Sequence, residues 1–160
     1  MAGIVDPDED SAKVTFPPPL VYLGMWLLGL LADRLGGFAL PLHLPVRVAG
    51  VAILVTFGLL IVFAGIFRFS QAGTDPKPWK ASSVFVNKGI YRFTRNPMYL
   101  GMAIAYLGLA IGSASPSALV LFPVLVAVIH TQVIAREERY LETRFGEDYR
   151  AYKAQVRRWI

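Results

Sequence analysis

The chain contains 39 consecutive residues, Pro97 to Ala135, that include no Asp, Glu, Lys or Arg. Val48 to Phe67 forms a second uncharged run of 20 residues. A helix needs about 20 mostly apolar residues to cross the hydrocarbon core of a bilayer. Charged residues make up only 17% of the chain, against roughly 25% in a soluble domain. These values argue against a soluble globular domain, a disordered chain and a DNA-binding domain.

We therefore predict an all-α polytopic membrane protein with one domain over residues 1–160. The longer run predicts two spans, because the cluster of turn-forming residues from Gly112 to Ser117 divides it. A weaker span is predicted near the N-terminus, between three prolines and two glycines. The four predicted spans are residues 18–34, 47–68, 97–113 and 116–135.

The basic residues indicate the orientation of these spans. Fourteen of the 16 Lys and Arg residues fall in the segments 1–13, 68–96 and 136–160, and the other two are Arg34 and Arg47. The positive-inside rule makes the first group cytoplasmic, with both termini. We expect an acidic, solvated tail at 1–13 rather than a cleavable signal, and a cytoplasmic loop at 69–96. In a bacterium the membrane would be the inner one.

The chain has no cysteine and two histidines. Disulfides, thiolate metal sites and a cysteine nucleophile are therefore excluded, and we predict no metal centre. The basic residues are assigned to the membrane surface and not to a nucleic acid. The oligomeric state is left open.

The first polar cluster lies at the entrance to the third span. Asn96 is a good N-cap residue, and Pro97 suits the first turn of a helix because its missing N–H is not needed there. Helix punctuation with basic anchors would explain this cluster equally well. Its sequence is Gly89-Ile90-Tyr91-Arg92-Phe93-Thr94-Arg95-Asn96-Pro97-Met98-Tyr99-Leu100-Gly101.

The second polar cluster, residues 136–146, follows the fourth span. A helix that continues past the membrane would place His130, Glu137 and Arg144 on one stripe, because a spacing of seven returns to nearly the same face. Ionisable groups at membrane depth usually face the bundle interior or a wet cavity. The alternative for the two adjacent glutamates is a solvated helix end.

Residues 147–160 predict a C-terminal interfacial amphipathic helix. Aromatic and aliphatic residues recur at helical spacing, and the remaining positions include four basic residues. This composition is typical of a helix in the lipid headgroup layer. We expect it to anchor the chain, with a secondary role as a lid over a site.

The two clusters together resemble signatures of integral-membrane methyltransferases. This group includes isoprenylcysteine carboxyl methyltransferases and phospholipid methyltransferases. The first cluster is similar to the pattern G-x-Y-R-x-x-R-[HN]-P-x-Y-x-G. The second resembles the C-terminal motif of the group through Glu137-Glu138, Leu141, Phe145-Gly146, Tyr149 and Tyr152. The resemblance covers roughly residues 70–158.

This resemblance implies methyl transfer from S-adenosylmethionine to a lipophilic small molecule or lipid that enters from the bilayer. The acceptor would be an isoprenoid-type carboxylate or a phospholipid amine. Glu138 and Arg144 are the candidate catalytic residues, and His130 and Arg144 are the candidate substrate contacts. A buried helix-packing role for His130 is an equal alternative. The implied cofactor-binding residues are Tyr91, Arg95, Asn96, Pro97, Tyr99, Gly101, Glu137 and Glu138.

Two positions depart from the pattern of the group. Asn96 stands where many members have His, and Asn does not titrate near neutral pH. Ile90 stands where Pro is frequent. Both argue against prenylcysteine as the substrate. Two other classes of function remain alternatives: a non-catalytic membrane interaction subunit, and a membrane reductase on a related helical scaffold.

Overall fold

The computed structural model describes residues 4–160, which form four long helices and no strand. The all-α prediction is confirmed. A short 3₁₀ turn, Gly89–Arg92, lies in the loop between the second and third helices. The helices are α1 (Pro18–Gly36), α2 (Leu44–Ala72), α3 (Pro97–Gly112) and α4 (Pro116–Gln155).

Two of these helices are long and apolar enough to cross a membrane. They are α2, with 29 residues, and α4, with 40 residues. Helix α3 is also apolar but has 16 residues, a length of about 24 Å against a hydrocarbon core of roughly 30 Å. Helix α1 carries Asp33 and Arg34 near its end. Length and composition thus support two of the four predicted spans.

The predicted helix starts are confirmed at Pro97 and Pro116, the first residues of α3 and α4. The Ser115 hydroxyl caps α4 by accepting a 3.1 Å hydrogen bond from the backbone N–H of Ala118. Asn96 occupies the N-cap position of α3, but its side chain does not cap the helix. Its amide instead donates a 3.0 Å hydrogen bond to the carbonyl oxygen of Arg158.

Helix α2 packs closely against α3, and α1 packs against α4. The close approach of α2 and α3 depends on glycine, because a Cβ atom on Gly101 would lie 2.5 Å from the carbonyl oxygen of Gly58. The core between the helices is filled by fully buried side chains that include Tyr106, Leu125 and Ile129.

The loop between α2 and α3 lies at the same end of the bundle as the end of α4 and the N-terminal segment. The Tyr152 hydroxyl donates a 2.6 Å hydrogen bond to the carbonyl oxygen of Tyr91. The Lys80 ammonium donates a 3.1 Å hydrogen bond to the Asp8 carboxylate.

The N-terminal segment differs from the solvated tail expected at 1–13. Ser11 and Ala12 are each only 6% exposed. Asp8 explains this placement, since its carboxylate accepts hydrogen bonds from both Lys80 and the backbone N–H of Ala81. Residues 1–3 lie outside the described range.

Candidate functional site

A cleft opens between the α2–α3 loop, the start of α3 and the second half of α4. It holds about 770 Å³ of empty space when the open solvent at its mouth is counted. Seven of the predicted site residues line it together: Tyr91, Arg95, Asn96, Pro97, Tyr99, Glu137 and Glu138.

Gly89 turns the loop toward this cleft. Its φ angle is +64°, and a Cβ atom there would lie 2.1 Å from Nε of Arg68. Glycine satisfies both constraints, because it lacks a Cβ and adopts positive φ without strain. The following 3₁₀ turn buries Tyr91 to 5% exposure, with its ring 5.7 Å from that of Phe69.

Glu138 is held by two arginines at the back of the cleft. Arg158 donates to both carboxylate oxygens, at 2.9 Å from Nε and 2.5 Å from Nη2. Nη2 of Arg95 lies 3.2 Å from Oε1, and the side chains of Arg95 and Glu138 are only 9% and 8% exposed. Burial opposes ionisation of Glu138, but the hydrogen bonds from Arg158 and the charge of Arg95 outweigh it and lower its pKa.

Two side chains of the cleft keep buried polar atoms that have no hydrogen-bond partner among residues 4–160. They are Arg95, through Nε and Nη1, and Tyr91, through its hydroxyl. A buried donor left unsatisfied costs about 1–3 kcal/mol. Because burial also raises the pKa of Tyr91, its phenol stays protonated and can donate. These atoms are available to an anionic or hydrogen-bond-accepting ligand.

Glu137 faces the cleft from α4, beyond the predicted span 116–135. Its Oε1 accepts a 2.9 Å hydrogen bond from the Tyr99 hydroxyl. Burial raises the pKa of Glu137 to about 8, and the negative charge of Glu138 acts in the same direction, while the bond from Tyr99 opposes them. A cation in the cleft would favour the ionised form, so Glu137 is suited to bind a cationic group or to take up a proton.

A kink at Gly146 folds the last part of α4 over the cleft. Its φ and ψ angles are +51° and −121°, a conformation that residues with a side chain rarely adopt. After the kink, Tyr149 is 2% exposed, and its ring centroid lies 5.8 Å from that of Phe85. The ring of Tyr152 lies 5.3 Å from Phe85. The role expected as secondary for this helix, a lid, is the one that these contacts support.

Three predicted site residues do not line the cleft. Gly101 lies at the contact of α2 with α3. The helix rise of about 1.5 Å per residue carries Arg144 about 10 Å beyond Glu137 and out of the cleft. There it pairs with Asp10. His130 begins a π-helical turn, His130–Ile134, whose wider coil breaks the predicted seven-residue stripe. Nη1 of Arg158 lies 3.0 Å from Nε2 of His130.

Arg158 and Phe85 belong to the site, although the sequence does not single them out. The sequence predicts a membrane anchor for the segment that contains Arg158. The fold shows that the carbonyl oxygen of Arg158 accepts hydrogen bonds from the side chains of Thr94 and Asn96. The helical spacing of Tyr149 and Tyr152 could have indicated a face that packs over the site. It predicts equally a face that contacts the lipid headgroups, which is the interpretation given above.

The sequence matches the profile of a protein family, phospholipid methyltransferase, over residues 46–148. An uncharacterized protein of Haemophilus influenzae is 41% identical over 63 residues, which are 39% of this chain and 79% of that protein. No solved structure matches the chain significantly.

Several relatives carry methyltransferase names. Protein-S-isoprenylcysteine O-methyltransferase of Schizosaccharomyces pombe is 33% identical over 73 residues, 46% of this chain and 31% of that enzyme. Methanethiol S-methyltransferase 1 of Bradyrhizobium diazoefficiens is 36% identical over 67 residues, 42% of this chain and 22% of that enzyme. The chain thus matches a part of each of these enzymes and not the whole.

Proposed function

Because the chain belongs to the phospholipid methyltransferase family, we propose that it transfers a methyl group from S-adenosylmethionine to a lipophilic acceptor at the cytoplasmic membrane face. The acceptor is an isoprenoid-type carboxylate or a phospholipid amine. The cofactor supplies an electrophilic methyl group on a sulfonium, and alignment of the acceptor with that methyl carries most of the rate.

The observation that carries this proposal is the pair of unsatisfied N–H groups on Arg95. Nε and Nη1 are buried donors of a permanently charged guanidinium, so each is suited to a charge-assisted hydrogen bond with a carboxylate oxygen. The amino-acid part of S-adenosylmethionine carries such a carboxylate. Glu138 already pairs with Nη2 of Arg95, so the buried guanidinium charge is compensated before a ligand binds. The remaining donors, Nε and Nη1, can then bind the ligand.

Glu137 is assigned to the cationic part of the cofactor. A carboxylate with a raised pKa becomes ionised when a positive group binds beside it. For an amine acceptor Glu137 also takes up the proton that the acceptor loses, whereas a carboxylate acceptor needs no base. Tyr99 orients the carboxylate through its hydrogen bond.

The aromatic lid is assigned to the exclusion of water. Phe85, Tyr149 and Tyr152 meet over the cleft at ring distances of 5.3–6.2 Å. A dry site strengthens the attraction between a charged ligand and Arg95 or Glu137. It also prevents water from competing with the acceptor.

The membrane placement belongs to the same proposal. All four helices cross the bilayer, and the cleft opens on the cytoplasmic side, where 14 of 16 basic residues are found. The short helix α3 is accommodated by local thinning of the bilayer. A lipophilic acceptor then reaches the cleft from the membrane and the cofactor reaches it from water.

The experiment is calorimetric titration of the purified chain in detergent with S-adenosylmethionine and with its demethylated product. Both should bind, and Arg95→Gln should weaken them at least tenfold. Arg92→Gln is the matched control, since Arg92 is exposed and does not line the cleft. Failure of both ligands to bind the wild type would overturn the proposal and leave the interaction subunit. Binding of reduced nicotinamide cofactors alone would favour the reductase.

A further inference from the structure

A second concave surface lies beside the cleft, on its outer side. We name it the basic groove. It holds about 700 Å³ with its open side included, and it shares Ala12 and Tyr140 with the lining of the cleft. Its residues are Ser11, Ala12, Lys13, Arg136, Arg139, Tyr140 and Thr143.

Three cations line this groove, and none of them forms an ion pair within the part of the chain that the structure describes. They are Lys13, Arg136 and Arg139. Two of the tail carboxylates are engaged elsewhere, because Asp8 pairs with Lys80 and Asp10 pairs with Arg144. The groove therefore keeps a concentrated positive charge.

Local contacts hold two of the cations in place. Arg136 donates one hydrogen bond of 3.2 Å to the carbonyl oxygen of Lys13 and one of 3.1 Å to Gln132. Lys13 adopts a φ angle of +55°, and its ammonium donates a 3.2 Å hydrogen bond to the carbonyl oxygen of Asp8. Left-handed backbone at a residue other than glycine is strained and is concentrated at functional sites.

The depth of the groove points to its ligand. Arg136 directly follows the uncharged run 97–135, so it lies at the headgroup layer if that run crosses the membrane as proposed above. Arginine and lysine at this depth attract anionic lipid phosphates. We propose that the basic groove binds the phosphate of an anionic phospholipid of the cytoplasmic leaflet.

A lipid phosphate fits this groove better than free phosphate does. Sites for free phosphate are usually enclosed and lined by backbone N–H groups. Here the backbone N–H of Lys13 is taken by Ser11, and the side chains of Lys13, Arg139 and Thr143 are exposed. Three cations around an open surface suit a headgroup that arrives along the membrane plane.

The test is the thermal stability of the full chain in a neutral detergent, titrated with phosphatidylglycerol, phosphatidylcholine or inorganic phosphate. Phosphatidylglycerol should raise the melting temperature, and the other two should leave it unchanged. Lys13→Gln and Arg139→Gln should each reduce the rise in melting temperature caused by phosphatidylglycerol about fivefold. Equal stabilisation by phosphatidylcholine would overturn the proposal, and so would equal stabilisation by inorganic phosphate.

The matched control is Arg150→Gln, an exposed arginine of α4 outside the groove. A loss in Arg150→Gln as large as that in Arg139→Gln would also overturn the proposal, since any basic residue of this face would then serve. A measurement of S-adenosylmethionine binding distinguishes a failure of this proposal from a failure of the proposed function, on which it rests. Lys13→Gln and Arg139→Gln should keep S-adenosylmethionine binding, because neither residue lines the cleft. A wild type that binds phosphatidylglycerol but not the cofactor would contradict the methyltransferase proposal alone.

Discussion

The hydroxyl of Tyr99 donates a 2.9 Å hydrogen bond to Oε1 of Glu137. This bond joins the start of α3 to α4 inside the cleft, so it connects the two polar clusters of the sequence directly. It stabilises the charged carboxylate, whereas burial and the charge of Glu138 favour the neutral form.

We expect Tyr99→Phe to raise the pKa of Glu137 above its wild-type value of about 8. Because only the ionised carboxylate attracts a cationic ligand, affinity for S-adenosylmethionine should increase with pH through this pKa. In the variant the increase should occur at higher pH, and affinity near neutral pH should fall about tenfold. Calorimetry across pH 6.5–9 measures this. Tyr106→Phe is the control, since its hydroxyl donates to the Ala118 carbonyl outside the cleft. Identical pH profiles for Tyr99→Phe and wild type would contradict the assignment.

Glu138→Gln should destabilise the fold. It leaves the buried guanidinium of Arg95 and the bidentate Arg158 without their anion. Removal of one member of a buried ion pair costs about 3–5 kcal/mol, and we expect the lower end because Arg158 is 33% exposed. Denaturant unfolding in micelles measures the loss. Glu142→Gln is the control, because its pair with Lys153 is 37–40% exposed and contributes less than about 1 kcal/mol.

The same carboxylate predicts a pH dependence of stability. The pKa of Glu138 in the folded chain lies below its ordinary value of 4.5, so the unfolded chain binds the proton more readily. Its contribution to stability is therefore present above pH 4.5 and lost as the pH falls below it. The wild type should lose its stability advantage over Glu138→Gln on acidification. A difference in melting temperature between the two proteins that stays constant from pH 7 to pH 3.5 would be inconsistent with this.

Gly101→Ala tests whether this motif glycine serves packing or the cofactor. An added Cβ would meet the carbonyl oxygen of Gly58 at 2.5 Å, and overpacking of this kind costs about 1–3 kcal/mol. We expect a lower melting temperature with near-normal cofactor affinity in the fraction that folds. Gly24→Ala is the control, because no atom of the described part of the chain lies within 4 Å of the added atom. Unchanged stability with lost affinity would return Gly101 to the cofactor-binding residues.

The orientation is testable by cysteine labelling, since the natural chain has no cysteine. In intact cells a membrane-impermeant maleimide should label Arg34→Cys and not Glu147→Cys. Both positions are exposed, and permeabilised cells control for reactivity. Labelling of Glu147→Cys in intact cells would reverse the proposed orientation.

Features encoded locally were predictable from the sequence. The starts of α3 and α4 at Pro97 and Pro116 follow from the backbone of proline itself. The meeting of Tyr91, Arg95 and Glu137 in one cleft was expected only through the resemblance, because nothing in the spacing of two distant clusters requires contact.

Features that depend on distant partners were not predictable. The spacing of seven places Arg144 near the face of Glu137 but farther along the helix, where Asp10 of the tail pairs with it. Arg158 follows the end of α4 and reaches Glu138 only because the chain changes direction at Gly146. The π-helical turn at His130–Ile134 changes the direction in which the later side chains of α4 point. No residue type in that turn is a sequence signal for a π-helix.

The sharing of Glu138 between Arg95 and Arg158 has a consequence for biogenesis. A ribosome makes residues 94–96 well before Arg158, and chains begin to fold from the N-terminal side during synthesis. Until Arg158 arrives, the side chains of Thr94 and Asn96 lack the carbonyl acceptor that they have in the finished protein. A chain without Arg158 therefore has Glu138 paired with Arg95 alone and lacks the backbone acceptor that joins the last segment to the loop before α3.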